Sequence, residues 1–128
     1  MTHTMNAELI VDRYLAVWSE SDAEVRRRAI AGLWAPDGVE FVEGAQFRGR
    51  KELEVRIAEA YGAFVGSGRY AVTSAGDASR HDDITTFTIQ LTTGGGEVAW
   101  AARVFIVLGE NGLIQQDYQL TVKPLPAE

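Results

Sequence analysis

Apolar side chains recur every three to four residues in the first half of the chain and every two in the second, and the change falls at Gly62, Gly66 and Gly68. Over residues 8–19, Ile10, Tyr14, Val17 and Trp18 share one stripe, which predicts a first helix. Ser21-Asp22-Ala23-Glu24 reads as a capping box that opens a second helix, striped by Val25, Ile30, Leu33 and Trp34 and closed by Pro36-Asp37-Gly38. Residues 39–43 then suit a short strand. Beyond Gly44 and Gly49, Leu53, Ile57, Tyr61 and Phe64 recur at four, four and three, predicting a third helix over 50–64. Residues 69–75, 84–92, 98–108 and 113–123 are rich in β-branched and aromatic side chains. Gly94-Gly95-Gly96 and Asn111-Gly112 supply hairpin turns between the last three. This order predicts an α+β fold: one domain over 1–128, with three helices on one side of a curled antiparallel meander. Residues 1–6 and 124–128 are expected to fray.

Alternation along the strands assigns faces. Both faces of 98–108 are largely apolar, and helices cover only one side of a small antiparallel sheet, so the outer face calls for a second copy of the chain as its cover. On the last strand Ile114, Tyr118, Leu120 and Val122 form an apolar row, while Gln115, Asp117, Gln119 and Thr121 form a polar one. Strict alternation turns Asp117 away from the face of Tyr118, where Arg103 is its expected partner on the sheet. Phe87, Ile89 and Leu91 share a face that, extended backward without a bulge, includes His81 and aims it at the helices.

The 128 residues hold no cysteine, so no disulfide or thiolate site holds the fold together, and the 46% of hydrophobic residues must supply a core. A net charge of −6 repels phosphate backbones and anionic lipid surfaces, which argues against nucleic-acid and membrane partners. The longest apolar stretch, near residues 98–108, is broken by Arg103 and is far short of the roughly 20 residues of a membrane span. The first seven residues lack the basic start and apolar run of a secretory signal, so the cytoplasm is the expected compartment. His3 and His81 are far apart and no zinc-type spacing occurs, so no metal and no cofactor is expected. The Arg26-Arg27-Arg28 run is expected on a solvated face.

Several local strings, Arg13-Tyr14-Leu15-Ala16-Val17-Trp18-Ser19-Glu20, Leu33-Trp34-Ala35-Pro36-Asp37-Gly38, Phe47-Arg48-Gly49-Arg50 and Gly112-Leu113-Ile114, together with the element order, resemble the nuclear transport factor 2-like superfamily and its SnoaL-like and ketosteroid isomerase-like branch. The resemblance implies a cone-shaped, cystatin-like fold, frequent dimers, and an apolar pocket between sheet and helices. It fixes no reaction. Tyr14 matches the helix-one tyrosine of the isomerase pattern. The two acidic positions of that pattern fall near Val42 and Val104, or near Glu43 and Arg103, so steroid isomerisation is not implied. The arginine–aspartate pattern of limonene epoxide hydrolase is similar to Arg80-His81-Asp82 and Asp117, although register counts against it.

These residues support an enzyme doing cofactor-free acid–base chemistry on a hydrophobic, oxygenated small molecule, whether isomerisation, cyclisation or hydration. Tyr14 would stabilise developing negative charge, and His81 or Glu43 would move the proton, with Glu40 the next carboxylate if the register differs. Asp117 is the further catalytic candidate, and Trp18, Phe41, Trp100, Val104 and Tyr118 would line the walls. The alternative is a non-catalytic binding or dimerisation module. An enzyme needs at least two convergent polar groups of complementary acidity, and a binder does not.

Overall fold

The structure, a computed structural model, describes residues 6–126. Three helices, α1 (Ala7–Ser19), α2 (Ala23–Leu33) and α3 (Gly49–Ala60), pack on one sheet of seven strands. The strands are β1 (Trp34–Val42), β2 (Ala45–Arg48), β3 (Ala71–Ser74), β4 (Ser79–His81), β5 (Ile84–Thr92), β6 (Val98–Leu108) and β7 (Ile114–Lys123). Their order is β2-β1-β7-β6-β5-β3, with β4 also pairing with β5, and every pair is antiparallel except β1 with β7. The α+β class and the meander of the last three strands stand as expected. The parallel β1–β7 pair makes the sheet mixed, and β2 is an addition, a short hairpin partner turned at Gly44 with φ +81°.

The helix starts follow their caps. Asn6 accepts from Leu9 N at 2.8 Å and opens α1, and Leu125 lies on the wall of a cavity; the remainder of the expected frayed ends, 1–5 and 127–128, lies outside the described residues. Asp22, rather than Ser21, caps α2, because its Oδ1 accepts from both Glu24 N and Val25 N. Val25 is therefore on the exposed side of α2, and Arg26 is buried, donating to the Glu20 carbonyl and lying over the Tyr61 ring. That removes Arg26 from the expected solvated face. The third helix runs regularly only to Ala60, after which Tyr61–Val65 form a single π-helical turn.

Two irregularities in the sheet decide which side chains face inward. Trp34 pairs with Ile114 and Val39 with Gln116, so residues 35–38 of β1 oppose one residue of β7. The Pro36-Asp37-Gly38 segment is thus a bulge within a strand, not the gap between helix and strand. A Cβ on Gly38 would stand 2.9 Å from the Ile114 carbonyl oxygen, so only glycine fits that close approach. In β7 the register slips at Gln115, where Val107 pairs with Gln116 but Leu108 with Ile114. The slip lets Ile114 stay in the core while Asp117 and Gln119 also turn inward, and it sends Tyr118, Leu120 and Val122 to the outer face. The polar row of β7 is the buried one.

The core gathers around Ile10, Tyr14, Trp34, Leu53, Ile57, Phe87, Val104 and Ile106, all fully buried. Among the described residues no helix is long and apolar enough to cross a membrane.

Candidate active site

Glu40 and Asp117 are register partners on the parallel strands β1 and β7, and both point into the core with no solvent exposure. Around them the other elements supply hydrogen bonds. From α1, the Tyr14 hydroxyl donates to Asp117 Oδ2 at 2.7 Å, and from the junction of α2 and β1 the Trp34 indole donates to Oδ1 at 2.9 Å. Gln119, two residues beyond Asp117 and so on the same face, donates from Nε2 to the Tyr14 oxygen at 2.9 Å and to Glu40 Oε2 at 3.3 Å. From α3, Arg56 Nε donates to Glu40 Oε1 at 2.9 Å. Tyr14 is packed among Trp18, Trp34 and Phe87, with ring centroids 5.6 to 6.0 Å away.

Two carboxyl groups this close and this dry cannot both hold a charge. Burial, then the charge of Glu40, pushes the Asp117 carboxyl well above the usual carboxylate range, and a hydrogen bond with Glu40 adds to the rise against the opposing bonds from Tyr14 and Trp34. Arg56 stabilises the charge on Glu40. The proton of the pair therefore stays on Asp117, while Glu40 beside it is salt-bridged to Arg56. Burial likewise raises the Tyr14 phenol, and negative charge on the Asp117–Glu40 pair adds to the rise, so its proton is firmly held.

Arg56 and Gln119 connect this chain of bonds to a cavity of about 200 Å³ between α3 and the sheet. Its walls are mainly apolar, with Trp18, Phe64, Val72, Ile89, Leu91 and Trp100 prominent, and Phe64 and Val65 come from the π-helical turn. Its polar lining is Arg56, Gln119 and Thr121.

No protein-family model and no curated protein sequence matches the chain. Solved structures do. A SnoaL-like family protein from Agrobacterium tumefaciens, provisionally assigned as an isomerase, is 25% identical with a TM-score of 0.81, over 90% of this chain and 96% of that one. A provisionally assigned polyketide cyclase from Sinorhizobium meliloti is 19% identical with a TM-score of 0.66, over 86% and 92% of the two chains. A Catenulispora acidiphila protein with a ketosteroid isomerase-like fold, in complex with trimethylamine, is 22% identical with a TM-score of 0.62, over 90% and 85%. The chain has the nuclear transport factor 2-like fold and is similar to SnoaL-like proteins.

Within this fold the expected site residues separate. Tyr14 and Asp117 are brought together, and Trp18 and Trp100 line the cavity. Val104 is fully buried in the core and is not on the cavity wall. Phe41 and Tyr118 stack on each other at 4.7 Å on the outer face, because alternation from inward Glu40 and Asp117 turns them out. Glu43 is exposed and accepts from the Thr121 backbone amide, so the carboxylate at the site is Glu40. His81 is exposed: a tight turn at Asp82, φ 56°, places it on the separate strand β4, paired with Ile84 and sharing that residue's outward face. Arg80 instead shares the inner side with Thr85, and its Nε donates to the Asp82 carbonyl. Arg103 pairs with Asp77 at 2.6 Å, not with Asp117, whose oxygens are held by Tyr14 and Trp34. Sequence reasoning misses Trp34, Arg56 and Gln119 as site residues. Arg56 carried a signal, since it falls between Leu53 and Ile57 on the buried stripe of α3, where a cation needs a partner.

Proposed function

We propose that this protein is an enzyme that moves a proton within an apolar, oxygen-bearing small molecule. The observation that carries this reading is the one-proton pair of Glu40 and Asp117, joined through Arg56 and Gln119 to the wall of an apolar cavity. Environments that set two neighbouring carboxyls to different protonation states are the means by which a site holds an acid and a base at one pH.

In the proposed cycle a substrate carbonyl oxygen rests against Arg56. Gln119 leaves its long 3.3 Å contact, and Glu40 takes a proton from the carbon next to the carbonyl. The electron pair of that C–H bond moves onto the carbonyl oxygen, where Arg56 stabilises the enolate. Glu40 then returns the proton to another carbon of the conjugated system, giving an isomer, and Asp117 keeps its own proton throughout. In a cyclisation the same enolate carbon attacks a second carbonyl carbon of the substrate, the π pair of that carbonyl moves onto its oxygen, and the oxygen takes the proton back from Glu40. Proton NMR in deuterated water with a panel of small ketones tests this: the wild-type protein should wash deuterium into the α-position. Glu40→Gln should slow that exchange by about 100-fold or more. Exchange that is equally fast in Glu40→Gln would overturn the assignment.

One observation favours a second reading as a non-catalytic binding module. Tyr14, Glu40 and Asp117 have no exposed surface, so the acid pair touches the cavity only through Arg56 and Gln119. Under that reading no ketone exchanges, while native mass spectrometry of the purified protein shows a retained ligand.

We further propose a homodimer through the outer sheet face. That face carries the stacked Phe41 and Tyr118, with Phe105 beside Tyr118 in register, and it exposes Leu120 and Val122 by 48% and 63%. A contiguous apolar surface of this kind favours a cover.

A further inference from the structure

We infer that the cavity takes a single-ring, uncharged carbonyl compound whose oxygen accepts hydrogen bonds from the outer nitrogens of Arg56. This names the substrate class of the site proposed above and rests on that reading.

The guanidinium is held ready on three sides. Its Nε is spent on Glu40, while the Trp18 ring covers it at 5.0 Å and the Phe47 ring at 5.3 Å from their centroids. The side chain is 21% exposed, on the cavity wall, and among the described residues neither Nη has an acceptor. A planar group fixed by stacking and by one hydrogen bond presents its remaining donors in a set direction. Beside it, the Trp18 indole N–H is buried without a partner. Buried donors without acceptors are uncommon, and an oxygen from a ligand is one way to satisfy them. Arg56 and Trp18 thus bring unspent donors to a hollow whose lining, apart from Gln119 and Thr121, is hydrocarbon.

Size and charge narrow the ligand. A dry cavity of about 150 Å³ accommodates benzene. At about 200 Å³ this one has room for one six-membered ring and a short arm, and not for a fused polycycle held wholly inside. Glu40 already balances Arg56, Gln119 and Thr121 are neutral, and Asp117 keeps its proton. A carboxylate would add an uncompensated negative charge beside Glu40 in a poorly solvated place, which is costly. A ketone, ester or lactone oxygen adds none.

NMR-monitored titration with acetophenone, ethylbenzene and benzoate separates the contributions, since all three share the ring and differ in the arm. Acetophenone should bind the wild-type protein about tenfold or more tightly than either of the others. In the Glu40→Gln/Arg56→Gln double variant, which removes both charges together, acetophenone should weaken to the level of ethylbenzene, whose own affinity should not change. The inference is overturned if ethylbenzene equals acetophenone in the wild type, if benzoate binds most tightly, or if none of the three binds. Should the double variant fail to fold, the order of the three affinities in the wild type decides alone. Acetophenone binding that depends on Arg56 but gives no α-proton exchange overturns the enzymatic reading and leaves this one standing. Exchange without any preference for the carbonyl does the reverse.

Discussion

Replacing Asp117 by asparagine isolates the proton that the buried pair holds. In the folded protein burial, then the charge of Glu40, lifts the Asp117 pKa well above 3.8, the value expected once the chain unfolds. Between those two values the native state binds one proton more than the unfolded state, so unfolding free energy falls with rising pH, by up to about 1.4 kcal/mol per pH unit. The stability from this group is complete below pH 3.8 and is lost as pH climbs through the raised native pKa. Asparagine copies the uncharged acid, and its carbonyl still accepts from Trp34. The Tyr14 hydroxyl loses an acceptor, at a cost of about 1 kcal/mol. Urea unfolding of both proteins from pH 4 to 9, followed by tryptophan fluorescence, gives a difference curve in which the other carboxylates cancel. Asp117→Asn should be slightly less stable at pH 4, then gain on the wild type as pH rises and overtake it. Two curves that run parallel over the whole range would refute the proton held on Asp117.

Three other outcomes follow from the same structure. Gly38→Ala should destabilise the fold by about 1 to 3 kcal/mol in thermal or urea melts, because the new Cβ would meet the Ile114 carbonyl at 2.9 Å in backbone that has nowhere to move. Asp77→Asn should cost about 1 kcal/mol at pH 7, allowing for solvent screening of a carboxylate 39% exposed. Burial raises the Asp77 pKa, but hydrogen bonds from Thr88 and the charge of Arg103 outweigh it and leave the pKa low, so this cost should vanish as pH falls through that lowered value. Leu120→Lys with Val122→Glu should convert a dimer to a monomer in light scattering without lowering urea stability measured under dilute conditions, and an unchanged mass would remove the outer face as the interface.

What the sequence discloses depends on whether the information is local. Tyr14 is legible because a phenol in a buried helical stripe must find a partner. Its partner is not, because period-two counting along β7 fails at a single slipped residue, Gln115, whose effect comes from pairing with β6 and not from its own side chain. The same counting, run backward from Phe87, carries His81 inward, whereas the turn at Asp82 starts a different strand. Glu40 and Asp117 are 77 residues apart, and only the parallel pairing of β1 with β7 makes them neighbours. No spacing rule reaches that far. The helices, by contrast, follow from short-range stripes and caps, and their displacements are small: a cap at Asp22 in place of Ser21 and an end at Ala60.

The pairing of β1 with β7 also has a consequence for assembly. It closes the longest loop in the sheet, and loop closure over that span must be met before the contact rewards it. The hairpins of β5, β6 and β7 close short loops, whereas β1 must span the whole separation to reach β7. Docking of β1 on β7 and completion of the buried carboxyl pair are one event, because Glu40 and Asp117 are partners in that register.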